Sequence, residues 1–276
     1  MKKFKRLLLM LTVVGLVVLL SACGRTGDVT ASSSGVWDRY IVYNFAQAIK
    51  FLSIGGNVGV GIILFTIVVR IILLPLMHYQ TKSMRRTQEI QPKMKAIREK
   101  YPNKDQESKR LMNEEIQQLY KDNDVNMYAG CLPMVAQMPI MIALYQSIYR
   151  VEELRQGHFL WLDLSKPDPY LILPILAALF TFLSSYLMSM SQVEKSPTNM
   201  IMYIVMPAMI FFMGMSFASS LALYWVVSNA FQVVQTLLIN NPFKIRAERA
   251  EIARREKERE RALQKALNPK KKRNKR

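Results

Sequence analysis

The segment that most constrains this chain is the apolar run at residues 61–77, which contains a single charged residue, Arg70. A transmembrane helix needs about 20 predominantly apolar residues, and residues 58–77 supply them. An arginine at the centre of such a helix costs about 2.5–3.5 kcal/mol on insertion scales. Arg70 therefore either extends its side chain to the membrane surface or faces a polar, hydrated surface inside the protein, and both interpretations are open at this point.

The composition of the whole chain is typical of a polytopic membrane protein. Of its 276 residues 51% are hydrophobic, yet the formal net charge is +18. Soluble domains with so large an apolar fraction do not carry such an excess of cations, whereas membrane proteins with basic cytoplasmic segments do. Two cysteines provide no disulfide framework. His78 and His158 lie far apart without a cluster of carboxylates or cysteines, so no metal site is predicted.

The N-terminus has the features of an export signal. Basic side chains at residues 2–6 precede an apolar stretch at residues 7–20, and small residues follow. The sequence Leu-Ser-Ala-Cys at residues 20–23 resembles the lipobox of bacterial lipoproteins, in which the cysteine is acylated and becomes the first residue after cleavage. This resemblance predicts a signal peptide over residues 1–22 and a covalent lipid on Cys23 at the outer face. The alternative is an ordinary signal anchor.

The pattern of hydropathy and charge predicts an all-α polytopic membrane protein with five transmembrane helices. In chain order, we predict a signal peptide (1–22), an outer linker with an amphipathic helix (23–57), a first span (58–78), a cytoplasmic helical hairpin (79–127), a second span (128–150), an outer loop (151–169), a third span (170–190), a cytoplasmic loop (191–199), a fourth span (200–215), a fifth span (221–240) and a basic cytoplasmic tail (241–276).

The distribution of charge orients this arrangement. Residues 79–126 hold 11 Lys and Arg against 8 Asp and Glu, and residues 244–276 hold 15 against 5. Because cytoplasmic segments carry an excess of Lys and Arg, both belong in the cytoplasm. An outer N-terminus and five crossings then leave the C-terminus inside. In the outer helix, we expect Trp37, Tyr40 and Tyr43 to lie at the level of the lipid headgroups, although a plain exposed linker helix is the alternative.

The polar residues inside the predicted spans include no Asp, Glu or Lys. Proton relays and most ion-coupled transport need intramembrane acids, and no pair of nucleophile and base can be assembled, so we predict that the protein is not an enzyme. The uncharged polar candidates are Gln137, Ser184, Trp225 and Asn229. They could converge with Arg70 on a hydrophilic concavity, or each could simply form hydrogen bonds between helices.

Several motifs, taken together and in this order, resemble the YidC/Oxa1/Alb3 family of membrane protein insertases in its five-span Gram-positive lipoprotein form. They are the lipobox at Cys23, Arg70 with the Leu-Leu-Pro75 that follows it, the charged hairpin, Pro133-Met-Val-Ala-Gln137-Met-Pro139, Phe159-Leu-Trp161-Leu-Asp163-Leu with Asp168-Pro-Tyr170 after it, and Leu223-Tyr-Trp225-Val-Val-Ser-Asn229.

The resemblance implies a groove that is open to the cytoplasm and the lipid and closed toward the outside. Arg70 would be its charged group, and Gln137, Trp225 and Asn229 would be polar groove residues. Family members often carry a glutamine on the third span, where this chain has Ser184. Ser184, its neighbour Ser185 and a water molecule are all open as the third-span group.

The basic tail resembles that of the longer-tailed Gram-positive paralogue, for which ribosome contact is implied. The residues expected to contact a ribosome or anionic lipid are Lys270, Lys271, Lys272, Arg273, Lys275 and Arg276. The implied function is the insertion and folding of nascent membrane proteins, as an insertase and chaperone acting alone or with the Sec translocon. No cofactor is expected apart from the lipid on Cys23. The alternatives are a transporter that binds anions at Arg70 and a lipoprotein scaffold that docks ribosomes.

Overall fold

The computed structural model describes residues 27–103, 105–126, 132–191, 197–239 and 241–267. The predicted signal peptide, the predicted lipidation residue Cys23 and the basic block at residues 270–276 lie outside these ranges. The described part of the chain is mostly helical and packs as a bundle.

The helices are numbered in chain order, and a π-helical segment (Trp37–Val42) leads directly into the first of them. They are α1 (Tyr43–Leu52), α2 (Val58–Ile72), α3 (Leu74–Glu89), α4 (Gln91–Lys100), α5 (Gln106–Asp122), α6 (Leu132–Arg150), α7 (Glu152–Arg155), α8 (Ile172–Met190), α9 (Pro197–Ser216), α10 (Ser219–Ile239) and α11 (Pro242–Leu267).

A small antiparallel ribbon is the one departure from a purely helical fold among the described residues. Strand β1 (His158–Phe159) pairs with β2 (Leu162–Asp163), and the turn between them holds Leu160 at a φ of 53°. The ribbon and the short helix α7 occupy the segment that was predicted as a plain outer loop. The two strands have only two residues each, which is below the length at which alternating hydropathy can be recognised.

The predicted first span is bent. Helix α2 ends at Ile72, and α3 begins at Leu74 and runs at 58° to it. Pro75 lies in the first turn of α3, where a missing N–H removes no helical hydrogen bond. The charged segment that follows contains three helices rather than the two that we expected, because α3 extends to Glu89 and α4 restarts with Pro92 in its own first turn.

Two of the described helices are long and apolar enough to cross a membrane, namely α8 and the helix that begins at Ser219. The bent pair α2–α3 becomes a third if it counts as one span, and a shorter apolar stretch, Tyr203–Ser216, lies in α9. The total of five crossings stays a prediction.

One end of the bundle, formed by α1, α7, the ribbon and the N-termini of α2, α8 and α10, is called here the β-loop end. Helix α8 packs along α9 and α10, α10 also packs on α2, and α1 lies against α2 and α6. The largest fully buried apolar side chains at this end are Val42, Ile49, Ile62, Leu144, Ile148, Leu154, Leu162 and Leu164.

The segment before α1 is held in the bundle by a buried polar network. Trp37 is only 6% exposed, and its Nε1 donates to Oε1 of Gln146 at 2.8 Å. The guanidinium of Arg150 donates to both carboxylate oxygens of Asp38, at 2.9 and 2.8 Å, and to the carbonyl of Gly27 at 2.7 Å. Trp37 therefore packs inside the bundle and its indole N–H has a partner there, whereas the level of this helix in the membrane stays a prediction.

Two glycines of α2 let the ribbon and α1 pack closely against that helix at the β-loop end. The ring of Phe159 lies where a side chain on Gly59 would begin, with ring carbon Cγ 2.2 Å from an ideal Cβ position. At Gly61 the same position is 2.5 Å from the carbonyl oxygen of Ile49. Glycine is required at both places, because any larger residue would push the ribbon or α1 away from α2.

The opposite end is called here the hairpin end. It comprises α3, α4, α5 and α11 together with the C-terminal halves of α8 and α10. Glu89 of α3, Met190 of α8 and Arg249 of α11 line one open pocket, which places these three elements side by side. Arg249 donates a hydrogen bond to the carbonyl of Ser191 and so ties α11 to the end of α8.

Candidate functional site

Arg70 lies in the last turn of α2, just before the bend into α3. Its side chain is half-buried, whereas its neighbours Ile71 and Ile72 are 52% and 69% exposed. Within the described ranges, Arg70 forms no ion pair and no hydrogen bond. A charge without a counter-ion in an apolar helix is costly, so this position is unusual for a purely structural residue.

Gln137 and Tyr224 bring two further polar groups to this part of the bundle. Nε2 of Gln137 on α6 donates a hydrogen bond to the phenolic oxygen of Tyr224 on α10. Tyr224 is 2% exposed and lies close enough to Arg70 for an electrostatic interaction. Helices α2, α6 and α10 thus each contribute one member of a polar cluster, which we call the Arg70 cluster (Arg70, Gln137 and Tyr224).

Tyr224 was not among the residues predicted for the site, whereas its neighbour Trp225 was. The ring of Trp225 instead packs edge to face on Phe217, with centroids 5.6 Å apart, inside the apolar core. A signal for Tyr224 was available, because a tyrosine in an apolar helix needs a partner for its O–H group. The motif that directed attention to Trp225 does not specify which of two adjacent side chains faces Arg70.

The remaining predicted polar residues form hydrogen bonds within their own helices. Nδ2 of Asn229 donates to the carbonyl of Trp225 at 2.9 Å. Oγ of Ser184 donates to the carbonyl of Thr181 at 3.0 Å. In the part of the chain that is described, neither side chain bonds to a member of the Arg70 cluster, so their assignment to a groove stays a prediction.

Several buried polar atoms at the hairpin end have no hydrogen-bond partner among the described residues. They are Nε2 and Oε1 of Gln80, Oε1 of Gln88, Oγ of Ser228, Oε1 of Gln235 and Nη2 of Arg249. Leaving such an atom unpaired costs about 1–3 kcal/mol, and buried polar atoms of this kind usually bind internal water. Water or a polar ligand would pair these atoms at the hairpin end.

The polar groups of the β-loop end are paired instead. The carboxylate of Asp168 accepts hydrogen bonds from the indole of Trp161 and from the backbone N–H groups of Tyr170 and Leu173, at 3.0, 3.0 and 2.8 Å, which caps α8. Lys166 contacts Asp163 at 2.7 Å. Hydrogen bonds from Lys166 first, and from Ser165, lower the pKa of Asp163 to about 2.

Comparison with known proteins identifies the family. Residues 50–248 match the family model described as 60Kd inner membrane protein. The membrane protein insertase YidC of Enterococcus faecalis is 69% identical over 272 residues, which cover 99% of this chain and 98% of that protein. This chain belongs to the YidC family.

Other members of the family are also similar to this chain over most of their length. Insertase YidC 1 of Lactococcus lactis is 58% identical over 91% of this chain and 93% of its own, and YidC 2 of Listeria innocua is 46% identical over 98% and 95%. A crystal structure of an active YidC insertase, with its first transmembrane domain resolved, is 28% identical with a TM-score of 0.59. That match covers 74% of this chain and 47% of the other, so this chain spans about half the length of that insertase.

Membership in the YidC family has two direct consequences. The family is not one of enzymes. Its members are multi-pass proteins of the bacterial cell membrane, and this location agrees with the apolar helices α8 and α10.

Proposed function

We infer that this chain is a membrane protein insertase that moves newly made membrane proteins into the bilayer. The observation that carries this inference, beside the family, is the Arg70 cluster. Arg70 has no carboxylate partner among the described residues, whereas the buried Arg150 has one in Asp38. An unpaired guanidinium in an apolar helix is suited to bind an acidic group that a substrate brings.

The physical obstacle in insertion is the polar segment of the substrate. A new single-span protein has an apolar segment and a short polar tail that must cross the membrane. Each unpaired polar group in the hydrocarbon core costs several kcal/mol. A hydrated groove shortens the dry distance, and Arg70 forms a charge-assisted hydrogen bond with an acidic residue in transit. The apolar segment then moves sideways into lipid, and no covalent bond changes.

We propose that the groove is closed at the β-loop end and open at the hairpin end and toward the lipid. Paired polar groups and close packing at the first end support this direction. So do the side-chain atoms of Gln80, Gln88, Ser228 and Gln235 at the second end that have no partner among the described residues. The hairpin then lies in the cytoplasm, in agreement with its excess of Lys and Arg. Helices α2 with α3, α6, α8, α9 and α10 would provide the five crossings.

The same proposal includes the remaining features that the sequence predicts, which are the signal peptide, the lipid, the basic tail and the further partners. A cleaved signal peptide and a lipid on Cys23 would place the N-terminus outside, next to the segment that Arg150 binds. The basic residues 270–276, at the end of the exposed helix α11, would contact a ribosome or anionic lipid, since both are polyanions. Substrate folding as a chaperone and cooperation with the Sec translocon also remain proposals.

The test replaces Arg70 in a strain depleted of its own insertase. We expect Arg70→Ala to abolish insertion of a substrate with an acidic outer tail and Arg70→Lys to retain much of it, because lysine keeps the charge. A substrate whose tail acids are changed to amides is the matched control and should depend less on Arg70. Membrane levels of each variant are measured alongside. If Arg70→Ala and Arg70→Glu both support full insertion of the acidic substrate, the proposed role of Arg70 fails.

A further inference from the structure

A small pocket lies at the base of the hairpin, away from the Arg70 cluster. Its volume is about 160 Å³, and one wall comes from α3 and the other from the chain that follows α5. The lining residues are Tyr79, Lys82, Ser83, Arg86, Asp124 and Asn126. Asp124 is held in the left-handed region, at a φ of 50°, so the chain turns sharply there as it leaves the hairpin.

The wall from α3 is one face of that helix. Tyr79, Lys82, Ser83 and Arg86 follow each other at intervals of three, one and three residues, which places them on a single stripe. The opposite face of α3 is the one packed into the bundle, since Gln80 and Gln88 are buried there. The hydroxyls and cations of this stripe therefore face out of the bundle and into the pocket.

The charge of the pocket is positive. Within the described residues, neither Lys82 nor Arg86 forms an ion pair, although Asp124 lies in the same pocket. Arg85 lies next to this stripe and adds a further positive charge. Two cations beside the hydroxyls of a tyrosine and a serine are the groups that bind phosphate oxygens, Arg through its paired N–H donors and Lys as a point charge.

The position of the pocket identifies the source of the phosphate. Tyr79 comes two residues after Met77, the end of the apolar run, and Asn126 precedes α6 by six residues. Both walls thus lie where the chain leaves and re-enters the apolar part of the bundle, at the level of the lipid headgroups. Tyr79 is 63% exposed, and tyrosine is enriched at that level. The turn between α4 and α5, near Lys100, is far along the chain from both apolar segments.

We propose that this pocket binds the phosphate of an anionic phospholipid in the leaflet on the hairpin side. Lys82 and Arg86 are the charged ligands, and Tyr79 and Ser83 donate hydrogen bonds. A volume of about 160 Å³ is below the roughly 300–1,000 Å³ of pockets for drug-sized ligands and suits one headgroup phosphate. The bound lipid fixes α3 at the membrane surface, and α3 begins four residues after Arg70. This proposal is independent of the insertase function.

The test measures lipid binding to the full chain in neutral detergent by native mass spectrometry. The probes are phosphatidylglycerol, phosphatidylcholine, inorganic phosphate and a short single-stranded RNA. The pocket variant is Lys82→Gln with Arg86→Gln. Its matched control, Lys93→Gln with Arg98→Gln, removes the same two kinds of charge from exposed positions on α4. A third variant, Tyr79→Phe with Ser83→Ala, keeps every charge and removes only the two hydroxyls.

We expect the pocket variant to bind phosphatidylglycerol about tenfold more weakly, because two exposed charged contacts of modest strength are lost, and the control to change by less than about twofold. The hydroxyl variant should lose about threefold for the same lipid. Equal losses of lipid binding in the pocket and control variants would show that only the total charge of the protein matters, and would overturn the proposal. Phosphatidylcholine or free phosphate binding as tightly as phosphatidylglycerol would overturn the anionic-lipid assignment. A loss confined to RNA would assign the pocket to nucleic acid instead.

Discussion

The two ends of the bundle treat buried polar groups in opposite ways. At the β-loop end, Trp37 bonds to Gln146, and Arg150 bonds to Asp38. Among the described residues, the buried side-chain atoms without a partner all belong to α3, to α10 from Ser228 onward, or to Arg249 of α11. Gln146 and Gln80 are the same residue type at similar exposure, 7% and 3%, yet only the first has its oxygen satisfied by a side chain in the bundle.

This difference affects whether each end can exclude water. Removing a charge from water costs several kcal/mol, and that cost is offset only when the partners are close and numerous. Arg150 has such partners in Asp38 and the carbonyl of Gly27, so the β-loop end can exclude water. Gln80 and Arg70 lack such partners in the described structure, so the hairpin end is more stable when water or a polar ligand reaches it. This contrast in pairing supports the proposed groove, closed at the β-loop end and open at the hairpin end.

The strongest test of this contrast removes the buried ion pair. Arg150→Ala takes the guanidinium away from the buried carboxylate of Asp38, and we expect it to lower the free energy of unfolding by about 3–5 kcal/mol. Unfolding in mixed detergent micelles measures the change. Arg155→Ala is the matched control, because Arg155 pairs with Asp28 at the surface, at 3.3 Å, and such pairs are worth about 0–1 kcal/mol. Equal effects of the two variants would contradict a sealed, water-free β-loop end.

A second test adds one methyl group at the contact between α2 and β1. Gly59→Ala places a Cβ 2.2 Å from Cγ of Phe159, and overpacking of this kind costs about 1–3 kcal/mol. The same unfolding measurement applies. The double variant Gly59→Ala with Phe159→Ala should recover part of the loss, because the clash is removed. A Gly59→Ala protein as stable as the parent would show that the ribbon is not packed tightly on α2.

A third test compares access of water to two buried serines. Ser147 is fully buried and its Oγ donates to the carbonyl of Val42 at 2.9 Å, whereas the buried Oγ of Ser228 has no partner in the part of the chain that is described. In a background with Cys131→Ser, we expect Ser228→Cys to react with a water-soluble thiol reagent about tenfold faster than Ser147→Cys, since only the hairpin end admits water. Equal rates would remove the distinction between the two ends.

The smallest expected effect is a pH dependence at the β-loop end. The pKa of Asp163 is lowered from 3.8 to about 2 by Lys166 and Ser165. A depressed folded-state pKa contributes stability above the unfolded value and loses it as the pH falls through the folded value. We expect the melting temperature to fall slightly between pH 3.8 and about 2, and this slope to shrink in Lys166→Gln. An unchanged slope in Lys166→Gln would show that Asp163 does not cause the pH dependence of the melting temperature.

Much of the architecture could be predicted from local sequence alone. The apolar run around Arg70, the excess of Lys and Arg in the hairpin and the motif that contains Gln137 each follow from residues close together in the chain. Hydropathy and charge act through the solvent that each segment prefers, and that preference needs no knowledge of distant contacts. The helical class therefore follows from hydropathy and charge, and the family was predicted from the resemblance of the motifs.

Tertiary structure decided which side chains meet. Trp225 and Tyr224 are adjacent and so lie about 100° apart on α10, and only the packing of α10 against α2 and α6 turns Tyr224 toward Gln137 and Arg70. Trp37 has the composition of a headgroup anchor, but Gln146, more than a hundred residues later, supplies its buried partner. The rotation of a helix about its axis depends on surfaces far away in the chain, and no local pattern specifies it. The sequence by itself determined which segments are apolar enough to be predicted as spans. Packing determined that, among the described residues, the buried polar groups are paired at one end and several are unpaired at the other.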